Sequence, residues 1–126
     1  MQQPFICHTP RNSHTNVIYN SPHSGWIYNA NFLTQTALSL KDIRASEDCY
    51  VDQLLTSVTH SGATLLEACF PRSFVDVNRA ANDLDQKLIE KLNISSSDPR
   101  TAAGLGVVPR IVGEGLEIYQ QKLSLQ

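Results

Sequence analysis

The chain has 126 residues, of which 41% are apolar and 17% charged, with a net charge of -2; this supports one domain with its own core, and excludes both a disordered chain and two full domains. The ten Lys and Arg residues are scattered without a basic block, so no nucleic-acid partner is expected. Cys7, Cys49 and Cys69 are an odd count with no C-x-x-C spacing, and there is no signal peptide or membrane-length apolar run, so the expectation is a reduced, cytoplasmic protein without membrane contact.

Residues 1–16 read as a polar leader holding two prolines. Val17 to Tyr19 reads as a short buried strand, ended by the turn chemistry of Asn20-Ser-Pro-His-Ser-Gly25, so His23 falls just past a strand end. Phe32, Leu33, Thr36, Ala37 and Leu40 recur at helical spacing and predict a helix over 31–40. Ser46 reads as the N-cap of the next helix, with Glu47 and Asp48 in its first turn, an apolar stripe of Val51, Leu54, Leu55 and Val58, and Gly62 as a left-handed stop. At about 100° per residue Glu47 leans toward that stripe. The two acids have two readings, as charges complementing the helix dipole or as metal ligands at the inward edge of a helix start.

Ala63 to Phe70 lies between Gly62 and Pro71, which favours a strand over a helix. Two strands joined by a helical crossover predict a parallel pair, and ligands gather beyond the carboxyl ends of such strands. His23 and the segment 72–79 are thereby brought to one rim. Further on, 86–92 reads as a short helical turn, 93–99 as a polar loop, 101–115 as a glycine-punctuated stretch, and Leu116, Tyr119 and Leu123 as the stripe of a final helix.

The chemistry concentrates in Phe70-Pro-Arg-Ser-Phe-Val-Asp-Val-Asn-Arg-Ala-Ala-Asn-Asp-Leu-Asp85, which sets carboxylates, arginines and an asparagine directly after a core strand. Arginine recognises carboxylates in a planar, bidentate way and asparagine adds a neutral donor, so Asn78 and Arg79 form a natural clamp for an acidic substrate. Arg72 suits an oxyanion developing on a polarised carbonyl, and Asp76 is a partner that orients one of these arginines. A salt-bridge cluster at a strand end is the equally open structural reading. A hydrolytic zinc site needs three His, Asp or Glu ligands and an open position; His23 with Glu47 or Asp48 supplies two, and no third is evident.

Several linked segments carry a resemblance over about residues 17–119: Asn20-Ser-Pro-His-Ser-Gly25, Ser46-Glu-Asp-Cys-Tyr-Val-Asp52, Gly62-Ala63, Phe70-Pro-Arg-Ser-Phe-Val-Asp-Val-Asn-Arg79, Asp83-Leu-Asp85, Gly104-Leu-Gly-Val-Val-Pro-Arg110 and Ile118-Tyr119. In their order and spacing they resemble the N-formylglutamate amidohydrolase family. The resemblance implies an α/β fold, a three-layer α/β/α arrangement of carboxypeptidase-like type with a mostly parallel or mixed sheet. It implies a zinc-dependent amidase that cleaves N-formyl-L-glutamate to glutamate and formate in histidine breakdown. It assigns zinc to His23 and Glu47, with Asp48 as the alternative ligand, Asn78 and Arg79 to the substrate carboxylate, Arg72 to the oxyanion, and Asp76 to support.

Members of that family are roughly twice the size of one ordinary domain of ~100–150 residues. Their second half supplies a further histidine, in an Asp-x-His-Ser-like motif, and a general-base carboxylate. The expectation is therefore that residues 1–126 form one amidohydrolase-like domain, truncated at the C-terminus and open to a complementing chain or a second copy.

Overall fold

The computed structural model describes residues 3–93 and 98–124. Strands β1 (Phe5–His8), β2 (Ile18–Ser21) and β3 (Thr64–Ala68) form a three-stranded sheet in the order β1-β3-β2. β2 and β3 are parallel, with Tyr19 opposite Leu65 and Ser21 opposite Glu67, the arrangement expected of two strands with a helical crossover. β1 lies antiparallel along the other edge of β3, pairing Phe5 with Ala68 and His8 with Leu65. The polar-leader reading is thus corrected: between Pro4 and Pro10 the short apolar run Phe5-Ile6-Cys7 supplies an edge strand, a place where flanking prolines are tolerated.

The predicted helix over 31–40 is two shorter ones. α1 (Ala30–Gln35) is capped by the Asn29 side chain, and the chain extends at Thr36, whose hydroxyl donates to the Ile118 carbonyl at 2.7 Å. α2 (Leu40–Ile43) then starts afresh, with the Ser39 side chain accepting from the Asp42 N–H. The Thr36 N–H still donates to the Phe32 carbonyl, but the Ala37 N–H goes to the Ile118 carbonyl at 2.7 Å instead of continuing the i→i−4 ladder, which local periodicity cannot anticipate.

The second predicted helix also starts elsewhere. Ser46 closes a 3-10 turn over Arg44–Ser46 instead of capping, Glu47 is extended, and α3 (Val51–Leu55) begins after Tyr50, which sits at φ 67. The buried Ser24 hydroxyl gives this segment alternative partners: it donates to the Asp48 carbonyl at 2.8 Å and accepts from the Asp52 N–H at 3.3 Å. Glu47 is therefore a loop residue and not a first-turn one. A 3-10 stretch, Thr56–Ser61, continues α3 to Gly62, which takes the predicted left-handed conformation at φ 79.

Phe32 and Ile43 pack with Leu88, Ile89, Val112, Ile118 and Tyr119 in the main core. The predicted final helix is absent. β4 (Ile111–Val112) and β5 (Leu116–Glu117) form a small antiparallel hairpin, reversed through Gly113 at φ 50 and Gly115 at φ 93. Beyond it Tyr119 bridges to Thr36 and Leu123 to Ile89 in extended form. The segment 86–92 holds a single turn, in which the Leu88 and Ile89 N–H groups both donate to the Asp85 carbonyl. Most of the predicted polar loop over 93–99 lies outside the described residues, and α4 (Pro99–Ala102) follows it, capped by Asp98.

The result is a mixed α/β fold of small sheets and short helices. Among the described residues, no helix is long and apolar enough to cross a membrane. The outer edge of β2 pairs with no strand among the described residues, and Ile18 on it is 68% exposed.

Candidate functional site

The site forms where the turn after β2 meets the segment after β3. Gly25 makes that approach possible: a Cβ there would lie 2.1 Å from the Phe70 carbonyl oxygen and 2.7 Å from that of Ala68, both backbone. The Ile27 N–H donates to the Cys69 carbonyl at 2.9 Å and holds the two segments together. Ser21 and Ser24 share a buried hydroxyl–hydroxyl bond of 2.8 Å that shapes the turn around His23.

His23 is buried, with Nε2 2.8 Å from Asp76 Oδ1 and Nδ1 3.4 Å from Asp48 Oδ2. Asp76 is the hub. Its Oδ1 also accepts from the Asn78 N–H at 2.9 Å, its Oδ2 accepts from Arg72 Nη2 at 2.9 Å, and its own N–H donates to the Val107 carbonyl. Burial opposes ionisation of Asp76, but the bonds to His23, the Asn78 N–H and Arg72 outweigh it and hold the carboxyl below its ordinary range. Arg72 Nη1 lies 3.9 Å from Asp48 Oδ1, so one guanidinium faces both carboxylates.

The predicted residues divide by their contacts. His23, Asp48, Arg72 and Asp76 form one cluster, held by the rim rule for parallel strands. Arg79 packs on its flank and is already engaged: Nε donates to the Leu105 carbonyl at 2.9 Å, Nη1 to the Asn78 carbonyl at 2.8 Å, and Nη2 lies 3.9 Å from Asp76. The Asn78 side chain is on the exposed surface beside it. Glu47 contacts other groups: Oε1 accepts from the Tyr28 hydroxyl at 2.5 Å, and Oε2 accepts from Arg44 Nε at 3.0 Å. Desolvation, followed by the bond to Glu47, pushes the Tyr28 phenol well up, so it remains a neutral donor. Among the described residues, no group of three or more His, Cys, Asp or Glu side chains is arranged to hold a metal ion.

Sequence reasoning missed Ser24 and Arg44. The i,i+3 spacing of Arg44 and Glu47 was available as a signal, whereas the bonds of Ser24 to Asp48 and Asp52 are to backbone and leave no side-chain pattern. A second cluster braces the same wall: buried Asp85 accepts from Arg110 Nε at 2.8 Å, and Arg110 Nη1 also donates to Glu117. It joins the Asp83-Leu-Asp85 segment to the hairpin.

The N-formylglutamate amidohydrolase family model matches residues 15–126. The fold is similar to the crystal structure of N-formylglutamate amidohydrolase from Ralstonia eutropha JMP134, with a TM-score of 0.87 and 32% identity over 96% of this chain. The match covers 43% of that longer protein. A search of curated proteins returned no match. With a family match over nearly all its length and a solved relative of the same fold, the chain belongs to the N-formylglutamate amidohydrolase family.

Proposed function

We propose that this chain carries the metal-binding and substrate-gripping wall of a zinc-dependent amidohydrolase that cleaves N-formyl-L-glutamate, or a related N-acyl amino acid, to the free amino acid and formate in histidine degradation. The setting is a three-layer, carboxypeptidase-like α/β/α fold in the cytoplasm.

The observation that carries this reading is the placement of His23 between two carboxylates. Asp76, ionised and buried, accepts a proton-bearing Nε2, which fixes the tautomer and leaves the Nδ1 lone pair free toward Asp48. Nδ1 and Asp48 Oδ2, 3.4 Å apart, are close enough that both would hold one zinc ion. His23 and Asp48 thus fit as two ligands, and Asp48 fits better than Glu47, whose oxygens serve Tyr28 and Arg44. Such an ion, when bound, polarises the amide carbonyl and lowers the pKa of water. Arg72, held by Asp76 beside Asp48, donates to negative charge developing on the amide oxygen. Asn78 and Arg79 border the substrate carboxylate, with Arg79 shaping the wall through its backbone bonds. A complementing chain would seat on the open β2 edge, near the exposed Ile18, and contribute the remaining ligand and general base, whereas a second copy of this one would cover the same edge without supplying them.

Metal analysis and formate release from N-formyl-L-glutamate test this together. Zinc should bind at near-equal stoichiometry, be lost in His23→Ala and Asp48→Ala, and be kept in Glu47→Gln. Absence of zinc and of formate release would sink the hydrolytic reading. A second reading, carboxylate binding without hydrolysis, draws on the lack of a three-ligand cluster among the described residues. Zinc-free protein that still binds glutamate-like anions would favour it.

A further inference from the structure

A cleft of about 280 Å³ opens beside the His23–Asp48 pair. Its wall includes Ser24, next to His23, and Glu47 and Cys49, which flank Asp48. Trp26 and Tyr50, each 67% exposed, are its aromatic sides, and Arg44, with a side chain 48% exposed, is part of its wall. None of these residues has a part in the hydrolytic scheme above.

Three arginines surround the site, and their commitments differ. The Arg79 side chain is 10% exposed and its nitrogens face the Leu105 and Asn78 carbonyls and Asp76. Arg72 gives Nη2 to Asp76 and faces Asp48 with Nη1. Arg44 gives Nε to Glu47 at 3.0 Å and bonds weakly with Cys49, while its side chain lines the cleft and is 48% exposed. Glu47 is well suited to fix that guanidinium: its side chain is 2% exposed and its other oxygen is held by the Tyr28 hydroxyl. It raises the Arg44 pKa first by hydrogen bonding and then by charge, so the cation persists. Asp52 also lines the cleft, so an incoming anion must meet the Arg44 edge and not the floor as a whole.

We infer that Arg44 receives the side-chain carboxylate of a dicarboxylic substrate between Trp26 and Tyr50, and that Glu47 is the residue positioning it. This rests on the reading of the substrate as an N-acylated acidic amino acid. Such a molecule carries two carboxylates and one scissile amide, and Arg44 and Arg72 lie on the walls of two different clefts flanking the His23–Asp48–Asp76 cluster. Arg44 then selects for glutamate-like over neutral side chains, a task distinct from bond cleavage.

The test measures binding and does not depend on hydrolysis. Glutarate and its monoamide, glutaramate, are titrated into the full chain by calorimetry. A charge-assisted pair replaced by a neutral contact predicts glutarate binding about tenfold tighter than glutaramate. In Arg44→Gln that preference falls to near unity with glutaramate affinity unchanged, and Arg44→Lys restores part of it, because a point charge remains but the planar fork does not. Arg44 is half-exposed but Glu47 is buried, so circular dichroism spectra are recorded for both variants, and the Tyr28 hydroxyl continues to hold Glu47 in each. Binding of neither anion, equal binding of both, or a preference retained in Arg44→Gln overturns the assignment. An intact preference without formate release from N-formyl-L-glutamate overturns the hydrolytic reading alone.

Discussion

Nε2 of His23 lies 2.8 Å from Oδ1 of Asp76, and both side chains are buried although they come from different segments, one after β2 and one after β3. The contact therefore ties the two ends of the parallel pair together as well as orienting an imidazole. Asp76→Ala removes the acceptor shared by His23, Arg72 and the Asn78 N–H, leaving buried donors unpaired, and should cost about 3 kcal/mol in urea unfolding. Asp76→Asn keeps one oxygen as an acceptor and should cost about half as much. Equal losses in the two variants would mean that the side chain acts by packing alone.

The parallel pair and the rim it creates were readable because β-branched and apolar runs between turn signals are local facts. Val17 to Tyr19 and Ala63 to Phe70 both form strands within a residue or two, and His23 meets Arg72 through Asp76. Val17, Ile18 and Tyr19 are exposed, however, and not buried as expected, because β2 is an outer strand of the sheet. What failed depended on partners far along the chain. The Ala37 N–H goes to the Ile118 carbonyl and the Asp52 N–H to the Ser24 hydroxyl, and each contact replaces a helical bond that periodicity assumed. Leu116, Tyr119 and Leu123 have helical spacing, yet Gly113 and Gly115 reverse the chain and the segment extends against Thr36 and Ile89. The resemblance names Glu47 as the carboxylate ligand and Asp48 as the alternative, and the helix start expected at these residues is not formed. Once Glu47 leaves the helix, its oxygens go to Tyr28 and Arg44, and Asp48 is the acid that faces His23.

Tyr119 gives a pH signature of the core that is independent of the site. It packs edge-on to Phe32, with ring centroids 5.9 Å apart, and burial pushes its phenol up to about 12. The folded pKa is raised above the unfolded value of about 10, so the contribution is fully present below about pH 10 and is lost as pH rises through about 12. Two units correspond to about 2.7 kcal/mol at most. Across that window the wild type should lose stability relative to Tyr119→Phe by about 2 kcal/mol, read from urea midpoints. A constant difference between the two proteins at all pH values would show that the phenol ionises as easily folded as unfolded.

Tyr50 connects backbone strain to the anion cleft. It is a non-glycine residue at φ 67, ψ 5, directly before α3, and its ring is 67% exposed on the cleft wall. An aromatic residue in the left-handed region costs about 1–2 kcal/mol, and little buried area is recovered in exchange, so stability gives no reason for a tyrosine there. Glycine adopts the same conformation freely but is more disordered when unfolded. Tyr50→Gly should therefore raise stability by up to about 1 kcal/mol, since the relief of strain exceeds the added unfolded-state entropy. The same substitution removes one side of the cleft beside Arg44 and should weaken glutarate binding about tenfold while leaving the discrimination against glutaramate in place, because Arg44 is untouched. Thermal melting and calorimetry on the one variant give both readings. A stability gain with unchanged glutarate affinity would place the strain at Tyr50 outside ligand binding, and a stability loss would mean that the ring packs more closely than its exposure indicates.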